Sequence, residues 1–422
     1  MKKARLGKWG RDAAAGGGVL VFFIMAFEVM IMISPFAFFF YSVFNPVFHW
    51  LDAYPATRWL THFFLPHMVL PPTLPLKIIR ISGSVLFVAG FAIFAICALQ
   101  VYLGKLFKWG IAHRGIYRFV RHPQYSALGI WGAGMTILWP RFVVLVTLSI
   151  MFVLYYFLAR DEERRMSSHY GDSYIEYMAK TGMFLPRFRK RVTAGDVSLS
   201  PFKPRRIIAL AAVVAAVLGT GFACRSLTLN SIQFHTRGNV TLISIMPEDN
   251  SKDSTILDAV QRQGVHFLRR DRSYLAYEMP ADYIMQGMIA NTGSKFHLYK
   301  RHHTVRLMAD WVLHPFEHLR LSPFARMAKM KHADPAAARR SHCPLGISAP
   351  NMTCRQCDYR RVIFVQVDNP SGRLRSGNGL LAFDSRRTPV GYIDLNTRTG
   401  QIVDIKRVPP KTAWGSVPTP AI

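Results

Sequence analysis

Apolar residues in this 422-residue chain are gathered into long runs instead of being spaced along one helical face. Crossing a bilayer needs roughly 18–20 consecutive, mostly apolar residues, and five stretches meet or approach that length. The first covers about residues 18–44 and the second about 78–103. A third and a fourth, about 125–138 and 142–159, are separated by Trp139-Pro140-Arg141, which predicts a tight helical hairpin inside the membrane. The fifth, about 207–223, is rich in Ala and Val. Past Arg225 the pattern changes. Residues 240–245 and 361–367 read as strands, and residues 392–395 and 401–405 form a predicted hairpin around the turn 396–400. Helical periodicity returns near 255–263 and 303–319. The expected fold is an all-α polytopic membrane bundle of about five transmembrane helices with a C-terminal α+β extramembrane domain. The expected division is a basic N-terminus at 1–17, a membrane domain at 18–190, a basic linker with the fifth span at 191–224, and the α+β domain at 225–422.

Composition narrows the class. Half the residues are hydrophobic and only 18% are charged, which excludes a disordered polybasic tail. Five cysteines are too sparse for a disulfide mini-scaffold of this length. The 53 Lys and Arg against 24 Asp and Glu give a net charge of +29, and the basic residues flank the apolar runs. Lys2, Lys3, Arg5, Lys8 and Arg11 precede the first; Lys105, Lys108, Arg114, Arg118 and Arg121 follow the second; Arg187, Arg189, Lys190 and Arg191 follow the fourth. The positive-inside rule places these in the cytoplasm and the charge-poor residues 45–76 outside. Five crossings then put residues 225–422 on the extracytoplasmic side of the cell membrane, periplasmic in a bacterium. The first run exceeds the usual signal-peptide core of about 7–15 residues, so it is expected to stay as a span. Headgroup contact accounts for the basic flanks, and no zinc-finger or RNP-type motif is present. The bilayer is thus the expected partner, and nucleic acid is not.

Polar side chains crowded at a membrane face are costly and mark functional positions. The densest group runs from His113 to Tyr125, between the second and third runs. A second group follows the fourth run: Arg160-Asp161-Glu162-Glu163-Arg164-Arg165, then Tyr170, Gly171, Tyr174, Tyr177 and Pro186. A hairpin of the third and fourth runs would bring Arg121, His122 and Tyr125 close to Glu162 and Glu163 on the cytoplasmic side. Such a group suits a zwitterion: Arg121 or His122 for its carboxylate, Glu162 or Glu163 for its ammonium. Tyr117, Tyr125 and Tyr174 offer ring faces to a further positive charge. Glu162 beside Arg160, Arg164 and Arg165 also fits an ordinary ion pair, and Tyr174 and Tyr177 also fit interfacial anchors. Glu28 inside the first run fits a bundle partner or a substrate contact, and equally a side chain that snorkels or pairs with an interhelical donor; it carries no site assignment.

Gly115-x-Tyr117-x-x-x-Arg121-His122-Pro123-x-Tyr125, then Glu162-Glu163, then Tyr170-Gly171-x-x-Tyr174-x-x-Tyr177, resembles the isoprenylcysteine carboxyl methyltransferase and phospholipid methyltransferase superfamily over about residues 78–190. The resemblance implies an integral-membrane methyltransferase that uses S-adenosylmethionine and acts on a lipidic or small apolar acceptor bearing a thiol, amine or carboxylate. It implies a cofactor site of Tyr117, Arg121, His122, Tyr125, Glu162 and Glu163. A thiol or amine acceptor also has to lose a proton, and Glu163 or His122 is the candidate catalytic residue to accept it. One departure is Ser126-Ala127 ahead of Gly129, where the family often has an earlier Gly. Two other classes stay open on the residues alone. One is a membrane-anchored binding or assembly protein with a non-catalytic methyltransferase-like region and an envelope partner for its C-terminal domain. The other is a related membrane NADPH-dependent reductase.

The C-terminal half resembles no family. Its Cys343, Cys354 and Cys357, with Cys224, fit disulfides. Cys343, Cys354 and Cys357 with His342 also fit zinc, and Cys354-x-x-Cys357 fits a redox pair; no metal site is assigned. His302, His303, His314 and His318 read as scattered surface residues. Gly377-x-Gly379-x-x-Ala382 imitates a dinucleotide fingerprint, but no βαβ unit follows and the stretch reads as a turn.

Overall fold

Helix α1, Leu74–Leu106, is built almost entirely of apolar residues and has 33 residues. At 1.5 Å per residue it is about 50 Å long, more than the roughly 30 Å of bilayer hydrocarbon. The computed structural model describes residues 48–67, 73–107, 115–187, 204–245, 252–280, 286–287, 289–292, 312–314, 316 and 359–410. These fall into two units, one drawn from residues 82–222 and the other from 31–81 with 223–422.

In the first unit, Pro123 opens helix α2 (Pro123–Leu138), and Trp139-Pro140 ends it. Pro is suited to the first helical turn and cannot continue a helix that precedes it. Arg141 caps α3 (Phe142–Tyr170), and its buried guanidinium lies 5.3 Å over the Trp139 ring. The predicted hairpin therefore forms. Glycines let α1 and α2 approach closely. A Cβ at Gly90 would lie 2.4 Å from the Trp131 amide nitrogen, and one at Gly134 would lie 2.4 Å from that of Phe87. Helix α4 (Asp172–Lys180) follows Gly171, whose φ of 57° turns the chain back. Helix α5 (Pro204–Ser231) meets the start of α3 through Phe222 on Phe142, with ring centres 4.8 Å apart.

Three helices among the described residues are long and apolar enough to cross a membrane, over Leu74–Val101, Phe142–Tyr170 and Pro204–Ser231. They account for three of the five expected spans. The stretch 18–44 lies outside the described residues, and α2, at 16 residues, spans only about 24 Å.

The second unit holds a six-stranded sheet in the order β1-β2-β3-β4-β5-β6. Its strands are β1 (His235–Arg237), β2 (Val240–Ser244), β3 (Ser273–Pro280), β4 (Tyr359–Asp368), β5 (Arg386–Asn396) and β6 (Gln401–Arg407). Only β2 and β3 pair in parallel; helix α6 (Asp253–Gln263) connects them. Its apolar face, Ile256, Leu257, Ala259 and Val260, packs with Leu242, Ala276, Phe364 and Ile393. The β5–β6 hairpin turns at Gly400, where φ is 67°. Residues 377–381 form a 3-10 turn, as their turn chemistry suggested.

Residues 48–67 belong to this sheet unit. The Thr228 hydroxyl donates to the Phe64 carbonyl at 3.2 Å, and Arg58 Nη1 donates to the Asp384 carbonyl at 3.0 Å. Arg225 donates to the carbonyls of Phe63 and Leu381. Most of the predicted helix 303–319, together with Cys343, Cys354, Cys357, His342 and Glu28, lies outside the described residues. Cys97 and Cys224 are free thiols. No His, Cys, Asp and Glu group among the described residues is arranged to hold a metal ion.

Candidate active site

The hairpin carries the motif residues together. A 3-10 turn at Gly115–Arg118 leads into residues 119–122, which meet residues 182–183 at a single parallel bridge, Val120 to Gly182. The Gly182 amide donates to the Phe119 carbonyl at 3.3 Å, the Arg121 amide to Gly182 at 2.9 Å, and the His122 amide to Met183 at 3.1 Å. The Ser126 hydroxyl adds a bond of 2.7 Å to the Phe184 carbonyl. The segment after α4 is thereby strapped onto the start of α2.

Glu163 sits at the centre, its side chain fully buried. One oxygen accepts from Arg121 Nε at 2.7 Å and the other from Arg160 Nη1 at 3.0 Å. Arg121 also donates through Nη1 to the carbonyls of Met178 at 2.9 Å and Thr181 at 2.5 Å. His122 lies between the two acids, with Nδ1 3.5 Å from Glu162 and Nε2 3.5 Å from Glu163. Burial alone would lower the basicity of the imidazole. Hydrogen bonds and the negative charge of Glu162 and Glu163 outweigh that and hold its pKa above the ordinary histidine value. Glu162 differs from its neighbour in keeping a 46% exposed side chain. The ion pairs anticipated for it go elsewhere: Arg160 meets Glu163, while Arg164 and Arg165 meet Asp161 at 3.1 and 3.3 Å.

Aromatic rings extend from this cluster. His122 stacks on Tyr125 with ring centres 5.6 Å apart, and Tyr125 stacks on Tyr155 at 4.8 Å. Tyr117 is buried, and its carbonyl accepts the Tyr177 hydroxyl at 2.6 Å. Burial pushes the Tyr117 and Tyr174 phenols well above the usual range, so they stay protonated at neutral pH.

Beyond the rings lies a cavity of about 610 Å³. Leu86 and Ile93 of α1 line one side, Phe152 and Tyr155 of α3 another, and Gly129 and Ala133 of α2 the floor; Phe184–Pro186 of the strap complete it. The lining is almost wholly apolar. A buried charge cluster with one half-exposed acid, joined by an aromatic stack to an apolar cavity, is suited to hold a polar charged ligand beside an apolar one.

The structure brings together five of the six expected site residues, Arg121, His122, Tyr125, Glu162 and Glu163, with Tyr117 on the adjoining turn. Sequence reasoning missed Tyr155 and, Pro186 apart, the strap. Tyr155 stands seven residues before Glu162, two helical turns along one face of α3, and that spacing was the available signal. The strap has no such signal, because backbone carbonyls make most of its contacts.

Residues 78–173 match the family model for phospholipid methyltransferase. Over these residues the chain is similar to the phospholipid methyltransferase and isoprenylcysteine methyltransferase superfamily. A curated relative is the Protein-S-isoprenylcysteine O-methyltransferase of Schizosaccharomyces pombe, 39% identical over 75 residues, or 17% of this chain. The match spans about a third, 31%, of that relative's length. No solved structure matches the chain.

Proposed function

We propose that this protein is a membrane methyltransferase that uses S-adenosylmethionine and acts on a lipidic or small apolar acceptor bearing a thiol, amine or carboxylate. The observation that carries the reading is the charged cluster abutting the apolar cavity through the His122–Tyr125–Tyr155 stack. The residues fit the donor's chemistry. Glu162 has a half-exposed carboxylate for an ammonium. The tyrosine faces suit a sulfonium. Tyr117 walls the same corner. When bound, S-adenosylmethionine would supply a methyl carbon already activated for displacement.

The chain's own residues then align and shield. Arg121 is a positioning residue in this reading: it ties Glu163 to the Met178 and Thr181 carbonyls and so fixes the strap. Glu163, held by two guanidiniums, sets the orientation of His122 and is a poor proton acceptor. His122 is the better base, because both acids stabilise its protonated form; it would take the proton of a thiol or amine acceptor. A carboxylate acceptor has no proton to lose at neutral pH. The apolar cavity excludes water and holds the acceptor's hydrocarbon in place, which lowers the entropic part of the barrier.

Membrane placement follows the same logic. The acidic cluster lies some twenty residues along α3 from Phe142, about 30 Å by helical rise, so the two ends of α3 suit opposite membrane faces. With the basic flanks inside, the cluster faces the cytoplasm and the sheet unit the other side. That residues 48–67 share a unit with residues after 223 supports placing both on one side. An envelope partner for the sheet unit belongs to the same reading.

The test is transfer of labelled methyl from S-adenosylmethionine into lipid extracts and small thiols by the full chain in membranes. His122→Ala is expected to lose at least about a hundredfold in transfer, the usual scale of general-base catalysis, while still inserting. Unchanged turnover removes His122 from the mechanism, and absence of transfer to every acceptor removes the function.

A further inference from the structure

Gly129 of α2 and Phe152 of α3 face each other in the cavity wall. A Cβ at Gly129 would lie 2.6 Å from Cε1 and 2.8 Å from Cζ of Phe152. The missing side chain is therefore what lets this ring close up against α2. The same ring is 45% exposed, and the neighbouring Ile150 is 46% exposed, so Phe152 stands where the cavity meets the outside of the hairpin. One helical turn further along, Tyr155 is buried in the stack with Tyr125. The cavity thus has an inner end fixed by stacked rings and a side wall made by one half-exposed ring seated against Gly129.

We propose that Phe152, seated over Gly129, is the specificity-determining residue for acceptor width. It admits a linear hydrocarbon chain between α2 and α3 and refuses a ring-bearing one. The proposal rests on the methyl-transfer reading above and adds a substrate class to it: acceptors whose nucleophile is carried on an unbranched alkyl chain. The physical ground is steric. A well-packed wall discriminates by about 10–200-fold for a single methylene, and a ring is larger than that.

Full-length protein in membranes is assayed with labelled S-adenosylmethionine and two thiols of similar hydrophobicity, decanethiol and a naphthyl-substituted ethanethiol. The wild type is expected to prefer decanethiol by at least about tenfold in kcat/KM. Phe152→Ala is expected to shrink that preference about tenfold or more, mainly through KM for the ring-bearing thiol. The milder Phe152→Leu should fall between the two and guards against misfolding of the alanine variant. Gly129→Ala should alter the preference when Phe152 is present and leave it unaltered in the Phe152→Ala background, because it acts by displacing that ring. A preference untouched by Phe152→Ala and Phe152→Leu overturns the proposal, as does a Gly129→Ala effect that persists without the ring.

A binding arm separates this failure from failure of the methyl-transfer reading. A diazirine-bearing alkanethiol is photocrosslinked to the wild type and its sites are mapped by peptide mass spectrometry. Decanethiol should compete better than the naphthyl thiol in the wild type and equally in Phe152→Ala, whether or not any methyl is transferred. Crosslinks absent from α2 and α3 overturn the proposal.

Discussion

In the sheet unit, Arg361 meets Asp394 through two bonds of 2.7 and 2.5 Å, and Arg360 meets Glu278 at 2.8 Å. Gln286 adds a bond of 2.9 Å to Arg361, and the Tyr392 ring lies 4.1 Å beneath its guanidinium. Each cation has its own acid, on neighbouring strands. The helical unit is arranged otherwise. Arg121, Arg160 and His122 converge on Glu163, and Glu162 keeps an exposed face beside His122. The sheet pairs are closed and complete; the helical cluster has a charge left facing outward and an apolar cavity beside it. Burial of charge is therefore a poor marker of function by itself. An incompletely enclosed acid next to a cavity is the more telling sign.

The sharpest way to break this comparison is to remove one acid from each region. Glu163→Ala leaves two guanidiniums without their shared partner and is expected to cost about 3–5 kcal/mol and to abolish methyl transfer. Asp394→Ala should cost a similar ~3–5 kcal/mol in the sheet unit, while its folded fraction keeps transfer. Thermal unfolding in detergent and labelled methyl transfer measure both. Loss of transfer in the folded Asp394→Ala protein would place the sheet pair in the mechanism and dissolve the contrast.

Replacing whole pairs sharpens it. Closed pairs exchanged for apolar residues of similar volume are often neutral or stabilising by about 1–4 kcal/mol. Arg361→Met with Asp394→Leu is expected to behave so in an unfolding measurement. Arg160→Met with Glu163→Leu is expected to stay destabilised, because Arg121 still lacks its acid and the strap carbonyls alone hold it.

The third effect is on pH. His122 must be neutral to accept a proton, and its pKa lies above the ordinary value of about 6.5. The acidic limb of the pH–rate profile should therefore fall above that value. Glu162, Glu163 and, through Glu163, Arg121 are the charged groups facing the imidazole. Glu162→Gln removes one acid and should move the limb to lower pH. The stability sign is opposite. A raised histidine pKa means the folded state binds the proton more tightly. That stabilisation is complete below the unfolded pKa and lost as pH rises through the folded one. A limb that does not move in Glu162→Gln excludes His122 as the base.

Much of this was legible beforehand because it depends on period and length. The hairpin followed from two apolar runs around Trp139-Pro140-Arg141, and its closure brought residues 121–125 to 162–163 as hairpin geometry requires. The β5–β6 hairpin followed from Asn396–Gly400 turn chemistry. What was hidden depends on partners that no pattern encodes. Nothing in Glu162-Glu163 says which acid faces two arginines and which faces outward; the helical phase of α3 against Arg121 decides it. That residues 48–67 join the sheet unit was equally hidden, since it rests on the side chains of Arg58, Arg225 and Thr228 meeting main-chain carbonyls.

The smallest expected effect tests how far the cluster's rigidity reaches. The Tyr177 hydroxyl donates to the Tyr117 carbonyl at 2.6 Å and so ties α4 to the turn that precedes Arg121. Burial pushes that phenol up to about 12, with Arg121 pulling weakly the other way, so it remains a donor at every pH used for an assay. Tyr177→Phe removes one partly buried hydrogen bond and keeps the ring, which should cost about 0.5–1.5 kcal/mol in thermal unfolding. The loss should be the same at pH 6 and pH 8, since neither partner titrates between them. If the strap and turn position His122 only through Arg121 and Glu163, methyl transfer should fall by no more than about threefold, half a kcal/mol or so on the barrier. A larger fall, with the acidic limb of the pH profile displaced, would mean that the Tyr117 turn orients the imidazole directly and belongs to the open cluster.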